Sequence, residues 1–507
     1  MINFSLENFA LFEVKSSNRL LFSPNLGIDL VQAAPNGGHP MRSPTHKCDF
    51  ITKMNRSILA VSISIAASTL PINAQSNDDS RLHDQVEAVS AERIYQDIET
   101  LANFGTRHTL SDTKSQTRGI GAARRWVEEE FNKISKECGG CLEVITVSDF
   151  VEGERRIPER TEVVNVVAIQ WGKRDRDRVI MMSGDIDSRV SDPLDGTSDS
   201  PGANDNASGL AGTIEAARVL SQYEFPSTIV YAGLSGEEQG LFGGQILAKW
   251  AKEEGWRIKG VLNNDMISNI TGIDGVTDNT VARVFSEGTR ATETPQEARI
   301  RRFTGGEVDS PSRNLARYID RLADQYIPNL DVMMIYRLDR FGRGGHHRPF
   351  NEAGIPGVRI METHEHYDRQ HQDLRTEDGI TYGDTLDGVD ADYARKLTAL
   401  NIVTLASAAW APPFPANVQI EGAVQPSTTL KWTRPTGKAA RNLQGYKVYW
   451  RLTDSNQWQW SRFVGDVEEF TLKNIVIDNY YFGVASVAKD GTESPVVFPG
   501  AAGSFGE

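Results

Sequence analysis

Residues 228–244 read TIVYAGLSGEEQGLFGG: an apolar, β-branched run followed at once by a glycine-bounded turn carrying the adjacent glutamates Glu237 and Glu238. A short apolar run that ends in turn residues is the pattern of a buried strand. The same pattern recurs on either side. Residues 163–169, 179–182, 260–266 and 358–361 are further strand candidates, and between them lie helical stretches such as 209–223, whose Leu210, Ile214, Ala217 and Leu220 share one face. Strand and helix alternating in this way predict an α/β domain with a mainly parallel (mixed) sheet sandwiched by helices. In such sheets ligands gather beyond the carboxyl ends of the strands.

Carboxylates are concentrated at those ends. SGDIDS (183–188) follows the strand candidate ending at Met182, and PGANDNASG (201–209) precedes a helix. SGEEQGLFGG (235–244) follows the strand candidate ending at Leu234, and NNDMIS (263–268) sets Asp265 within an apolar strand. One such carboxylate is ordinarily a helix cap or a solvated loop residue. Acidic motifs at successive strand ends are what divalent cations require, with one carboxylate bridging two ions. Adjacent glutamates can divide labour, one binding metal and its neighbour moving a proton. An imidazole ligand would favour zinc, and the cluster His364, His366 and His371 follows the last strand candidate.

These motifs, in this order, resemble the zinc aminopeptidase family of co-catalytic exopeptidases, which includes bacterial leucyl aminopeptidases, glutamate carboxypeptidases and the divergent glutaminyl cyclases. The resemblance covers about residues 92–410. It implies two metal ions bridged by Asp205, with Glu238 and Asp265 binding one each, and Glu237 as the general base acting on a metal-bound water. The last ligand is implied to be His371, ahead of Asp384-Thr385-Leu386-Asp387, with His364 and His366 as alternatives because that interval is long. Two positions depart from the family pattern. Asp185 stands where the family has the histidine of Gly-His-x-Asp-Ser, and His346-His347-Arg348-Pro349-Phe350 stands where it commonly has Asp-His-x-Pro-Phe. Asp187 keeps its place as the catalytic-site carboxylate that orients a ligand. With Asp185 as a ligand the first position becomes all-oxygen, which favours manganese, magnesium or calcium over Zn2+.

The ends of the chain read differently. Met54, Asn55 and Arg56, the apolar run 58–70 and Ile72-Asn73-Ala74 have the order of a signal peptide over 54–74, with residues 1–53 an upstream extension. Export to the periplasm or the extracellular space follows as the expectation, and in that setting Cys138 and Cys141 read as a local disulfide. The peptidase domain is expected over 82–411 and a proline-rich linker over 412–416. Residues 417–507, with the alternations Tyr446-Val448-Trp450 and Tyr480-Phe482-Val484, are expected to form a small all-β sandwich resembling a fibronectin type III module. The change of character at the prolines predicts an accessory that binds a surface or polymer, and a peptidase that folds and works when cut after Pro412.

The net charge of −14 argues against a nucleic-acid partner, and no run of the sequence is long enough for a stable membrane span. The substrate expected is a peptide or protein N-terminus. The rival readings are a single-zinc aminoacyl cyclase like glutaminyl cyclase, and a non-catalytic binding ectodomain that kept the fold.

Overall fold

The structure, a computed structural model, describes residues 78–506, so the signal peptide and extension expected over 1–74 lie outside the described residues. Eight strands form one sheet: β1 (Glu143–Val151), β2 (Thr161–Gln170), β3 (Asp175–Asp185), β4 (Ser227–Leu234), β5 (Arg257–Asn264), β6 (Val281–Phe285), β7 (Asp331–Ile335) and β8 (Gly357–Glu362). They lie in the order β1-β2-β4-β3-β5-β8-β6-β7. The centre, β4-β3-β5-β8, is parallel, while β1, β2 and β4 run antiparallel to one another in turn, as do β8 and β6. The sheet is therefore mixed around a parallel heart.

Alternation along the central strands places core on both faces. Ile180 and Met182 face one apolar cluster together with Ile229, Tyr231 and Leu262; Val179 and Met181 face the other together with Val230, Ala232 and Val261. A sheet buried on both sides needs apolar residues at every position, which is why these strands read as unbroken runs. The helix Ala391–Trp410 lies on the first face, with Asp390 capping its N-terminus by accepting from the Tyr393 amide.

One expectation about the chain path is corrected, at Asp265. Ahead of the sheet lie two helices, Ala91–Ala102 and Gly119–Glu137. In the loop between them, buried Arg107 donates to the carbonyls of Leu101 (3.0 Å), Ile186 (2.8 Å) and Gly202 (2.9 Å), tying the SGDIDS and PGANDNASG motifs together. Asp265 is not inside a strand: β5 ends at Asn264, and Met266, at φ 63°, turns the chain away from the sheet.

After the hairpin β9 (Arg375–Glu377) and β10 (Ile380–Tyr382), the C-terminal part is a sandwich of two three-stranded antiparallel sheets. β11 (Ala416–Glu421), β12 (Thr428–Thr433) and β15 (Glu469–Leu472) form one; β14 (Trp460–Gly465), β13 (Leu443–Leu452) and β16 (Tyr480–Ala488) form the other. Trp432, Tyr446, Val448, Phe482 and Val484 fill the space between them. This sandwich is ionically docked on the α/β part. Arg451 of β13 grips Asp309 through Nη2 at 2.8 and 2.9 Å, and Arg317, from the helix Pro311–Tyr326, reaches the same carboxylate at 2.9 Å. All three side chains are buried. Nearby, Glu493 receives Arg321 at 2.9 Å together with Lys447 and Tyr449. The described residues on both sides of the prolines belong to one compact unit.

Cys138 and Cys141 are joined by a disulfide. Among the described residues no helix is long and apolar enough to cross a membrane.

Candidate active site

The acidic motifs meet at the carboxyl ends of β3, β4 and β5. Three side chains from three separate connections converge most closely: His371 Nε2 lies 2.9 Å from Asp205 Oδ2 and 3.0 Å from Glu238 Oε1. These three residues can each offer one ligand atom with all the atoms within 4.8 Å of one another. One imidazole nitrogen and two carboxylate oxygens make a donor set suited to zinc. His371, at φ 56°, holds the left-handed backbone conformation that points its ring inward, a placement uncommon outside glycine. Of its alternatives, His364 faces Asp274 at 3.8 Å and His366 lines a separate crevice behind Asp205.

The electrostatics are those of a cation site. Burial opposes charge on all three residues. Even so, Glu238 and Asp205 raise His371 to about 9, and the imidazolium holds the Asp205 and Glu238 carboxyls below the usual range. Glu237 lines the same cleft of about 260 Å³. Burial, then the neighbouring charges of Glu238 and Asp265, push its carboxyl well above the ordinary value, so it holds a proton readily.

The supports are backbone and side chain together. Asp187 accepts from the amides of Glu237 (3.2 Å) and Glu238 (3.1 Å) and from the Thr109 hydroxyl (3.2 Å), fixing the turn that carries both glutamates. Asp384 accepts from the amides of Asn204 (3.0 Å) and Asp205 (2.6 Å). Arg189 donates to Glu238 Oε2 at 2.8 Å and meets His371 Nδ1 at 2.7 Å.

Asp185 and Asp265 stand apart from this trio. Asp185 Oδ1 pairs with His346 Nδ1 at 2.5 Å, and its Oδ2 accepts from Asn206 Nδ2 at 2.7 Å. Asp265 Oδ2 is 2.8 Å from Arg359 Nη2, while its buried Oδ1 has no protein partner. The two departures from the family pattern, Asp185 and His346, are thus in contact with each other.

Arg359 escaped the sequence reading, although an arginine inside the apolar run 358–361 demands a buried carboxylate and could have been flagged on that ground. Arg189, directly after an acidic motif, and Asp384, noted only as a landmark, were legible in the same way. Gln370, whose Nε2 donates to Asp205 Oδ2 at 3.2 Å, carried no such mark.

The model of peptidase family M28 matches residues 165–389, which contain every residue named in the trio and its turn. A Leptosphaeria maculans protein named "Probable zinc metalloprotease" is 42% identical over 415 residues, 82% of this chain and 95% of the relative. Among solved structures, the LapA aminopeptidase of Legionella pneumophila aligns with a TM-score of 0.47 at 18% identity, covering 65% of this chain and 75% of that one. The glutaminyl cyclase of Porphyromonas gingivalis aligns with a TM-score of 0.43 at 15% identity, covering 62% and 98%.

Proposed function

Because the chain belongs to peptidase family M28, we propose that this zinc metallopeptidase is an exported exopeptidase, an aminopeptidase that removes residues from peptide N-termini. The observation that carries the reading is the convergence of Asp205, Glu238 and His371 with Glu237 beside them in one cleft. Asp205, Glu238 and His371 would hold the zinc, which would supply Lewis acidity when bound. The remaining roles belong to the chain. Glu237 takes a proton from the water as it attacks and returns it to the departing amine. Asp187 and Asp384 hold the backbone on which Glu237, Glu238 and Asp205 ride, and Arg189 orients Glu238.

A second metal position at Asp185, Asp205 and Asp265 remains part of the proposal, as the weaker of the two, since protein donors already engage Asp185 and Asp265. The charge, apolar and small-residue order of 54–74 supports export. The C-terminal sandwich is read as a fibronectin type III-like accessory.

The test is amino-acid release from peptides with free and with acetylated N-termini, run beside N-terminal glutamine cyclisation. Release confined to free N-termini supports the aminopeptidase. Cleavage indifferent to acetylation sinks that part of the reading, and cyclisation without release favours the cyclase.

A further inference from the structure

The cleft over the trio is unusually cationic. Five arginines, Arg156, Arg189, Arg340, Arg343 and Arg348, line it against four carboxylates, and the one sizeable apolar side chain in its wall is Leu241. Three of the arginines are committed to carboxylates: Arg189 to Glu238, Arg340 to Glu365 and Asp339, and Arg348 to Glu352. Arg156 and Arg343 have no carboxylate partner among the described residues.

Both free cations are tethered to the metal ligands. Arg156 Nη1 donates to the Glu238 carbonyl at 2.5 Å, and its buried Nε has no protein acceptor. Arg343 Nη1 donates to Gln370 Oε1 at 3.1 Å, and Gln370 Nε2 in turn donates to Asp205 at 3.2 Å. Arg156 thus lies one hydrogen bond from a ligand residue and Arg343 two, and each guanidinium keeps unused donors. A leucine or phenylalanine side chain would find almost no apolar wall here, whereas a carboxylate would find two forked donors that match its geometry. Arg156 and Arg343, whose charge no carboxylate of the described residues meets in an ion pair, would attract an anionic group entering the cleft.

Resting on the peptidase reading above, we infer that Arg156 and Arg343 form a carboxylate subsite, which makes the enzyme selective for substrates bearing a carboxylate beside the scissile bond. The carboxylate belongs either to an aspartate or glutamate side chain or to the free C-terminus of a dipeptide.

The test uses the full mature chain loaded with zinc. Glu- and Asp-4-nitroanilide present only a side-chain carboxylate. Leu-Gly against Leu-Gly-amide isolates the C-terminal one, and Leu- and Lys-4-nitroanilide serve as references. At least one carboxylate-bearing substrate is expected to exceed its neutral counterpart in kcat/KM by tenfold or more. Arg343→Met and Arg156→Met should each shrink that ratio mainly through KM, and Arg343→Glu should shift preference towards Lys-4-nitroanilide. Calorimetric titration with L-glutamate and L-leucine reads the subsite without turnover: glutamate is expected to bind at least tenfold more tightly, and the advantage to vanish in Arg343→Met. Equal handling of acidic and neutral probes, or a preference that survives both methionine variants, overturns the inference. Glutamate binding that depends on Arg343 in a protein that cleaves none of the amides would uphold the subsite and sink the peptidase reading instead.

Discussion

Nη2 of Arg359 lies 2.8 Å from Oδ2 of Asp265, and both side chains are buried. The guanidinium stands where a cation shared with Asp265 would otherwise balance its charge, and Asp185 is saturated by His346 and Asn206. Zinc titration of stripped protein, followed by elemental analysis, is therefore expected to show one tight ion per chain and any second ion about tenfold to a hundredfold weaker. His371→Ala should abolish the tight ion, and Asp185→Ala should leave it in place. Two tight, equivalent ions would contradict this.

Glu237→Gln is expected to lower kcat by roughly a hundredfold to ten-thousandfold, because the amide cannot accept the proton of the attacking water. Bound zinc should be almost unchanged, since Glu238, not Glu237, belongs to the trio. Most of the turnover surviving, or zinc lost in step with activity, would show the roles to be misassigned.

The sequence suggests a peptidase separable after Pro412, but the structure argues for a different outcome. Cutting there strips Arg451 from Asp309 and both Glu493 and Tyr449 from Arg321. Breaking a buried ion pair on one side costs about 3–5 kcal/mol. Arg451→Met should accordingly lower the thermal midpoint by several degrees, and the truncated chain should be less stable still. A truncated chain that melts with the full one would show the docking to be energetically idle.

Acid sensitivity should come in part from Glu493. Burial opposes its charge, but Arg321 and Lys447 outweigh that and bring its carboxyl down to about 2. A folded-state value below the unfolded value of about 4.3 means that its stabilisation is complete above that pH and is lost as pH falls towards 2. The loss amounts to at most roughly 3 kcal/mol. Denaturant melts of wild type and Glu493→Gln should differ most at neutral pH and converge in acid; a gap that is constant with pH would remove Glu493 from the account.

Much of the α/β part was legible because its central strands are buried on both faces. Residues 163–169, 179–182, 228–234 and 358–361 lie within β2, β3, β4 and β8, and β5 covers most of 260–266. The strands left out are those whose sequence is not uniformly apolar: β1 is largely solvent-facing, and β6 and β7 are short with exposed or half-exposed positions. In the site, motif order pointed to Asp205, Glu237, Glu238 and His371. It could not show that Asp265 is met by Arg359, or that Asp185 is met by His346, because those pairings depend on residues 94 and 161 positions away in the chain. Local pattern also marks a proline linker without revealing what the flanking surfaces do to each other.

The shared grip of Arg317 and Arg451 on Asp309 bears on descent as well as on stability. A recombination event that replaced the sandwich with an unrelated one would leave an aspartate and an arginine sealed under a surface that no longer answers them. Shuffling at the prolines would therefore be costly. The two halves are expected to have been inherited together, with any exchange at position 309 matched by a compensating exchange at 451.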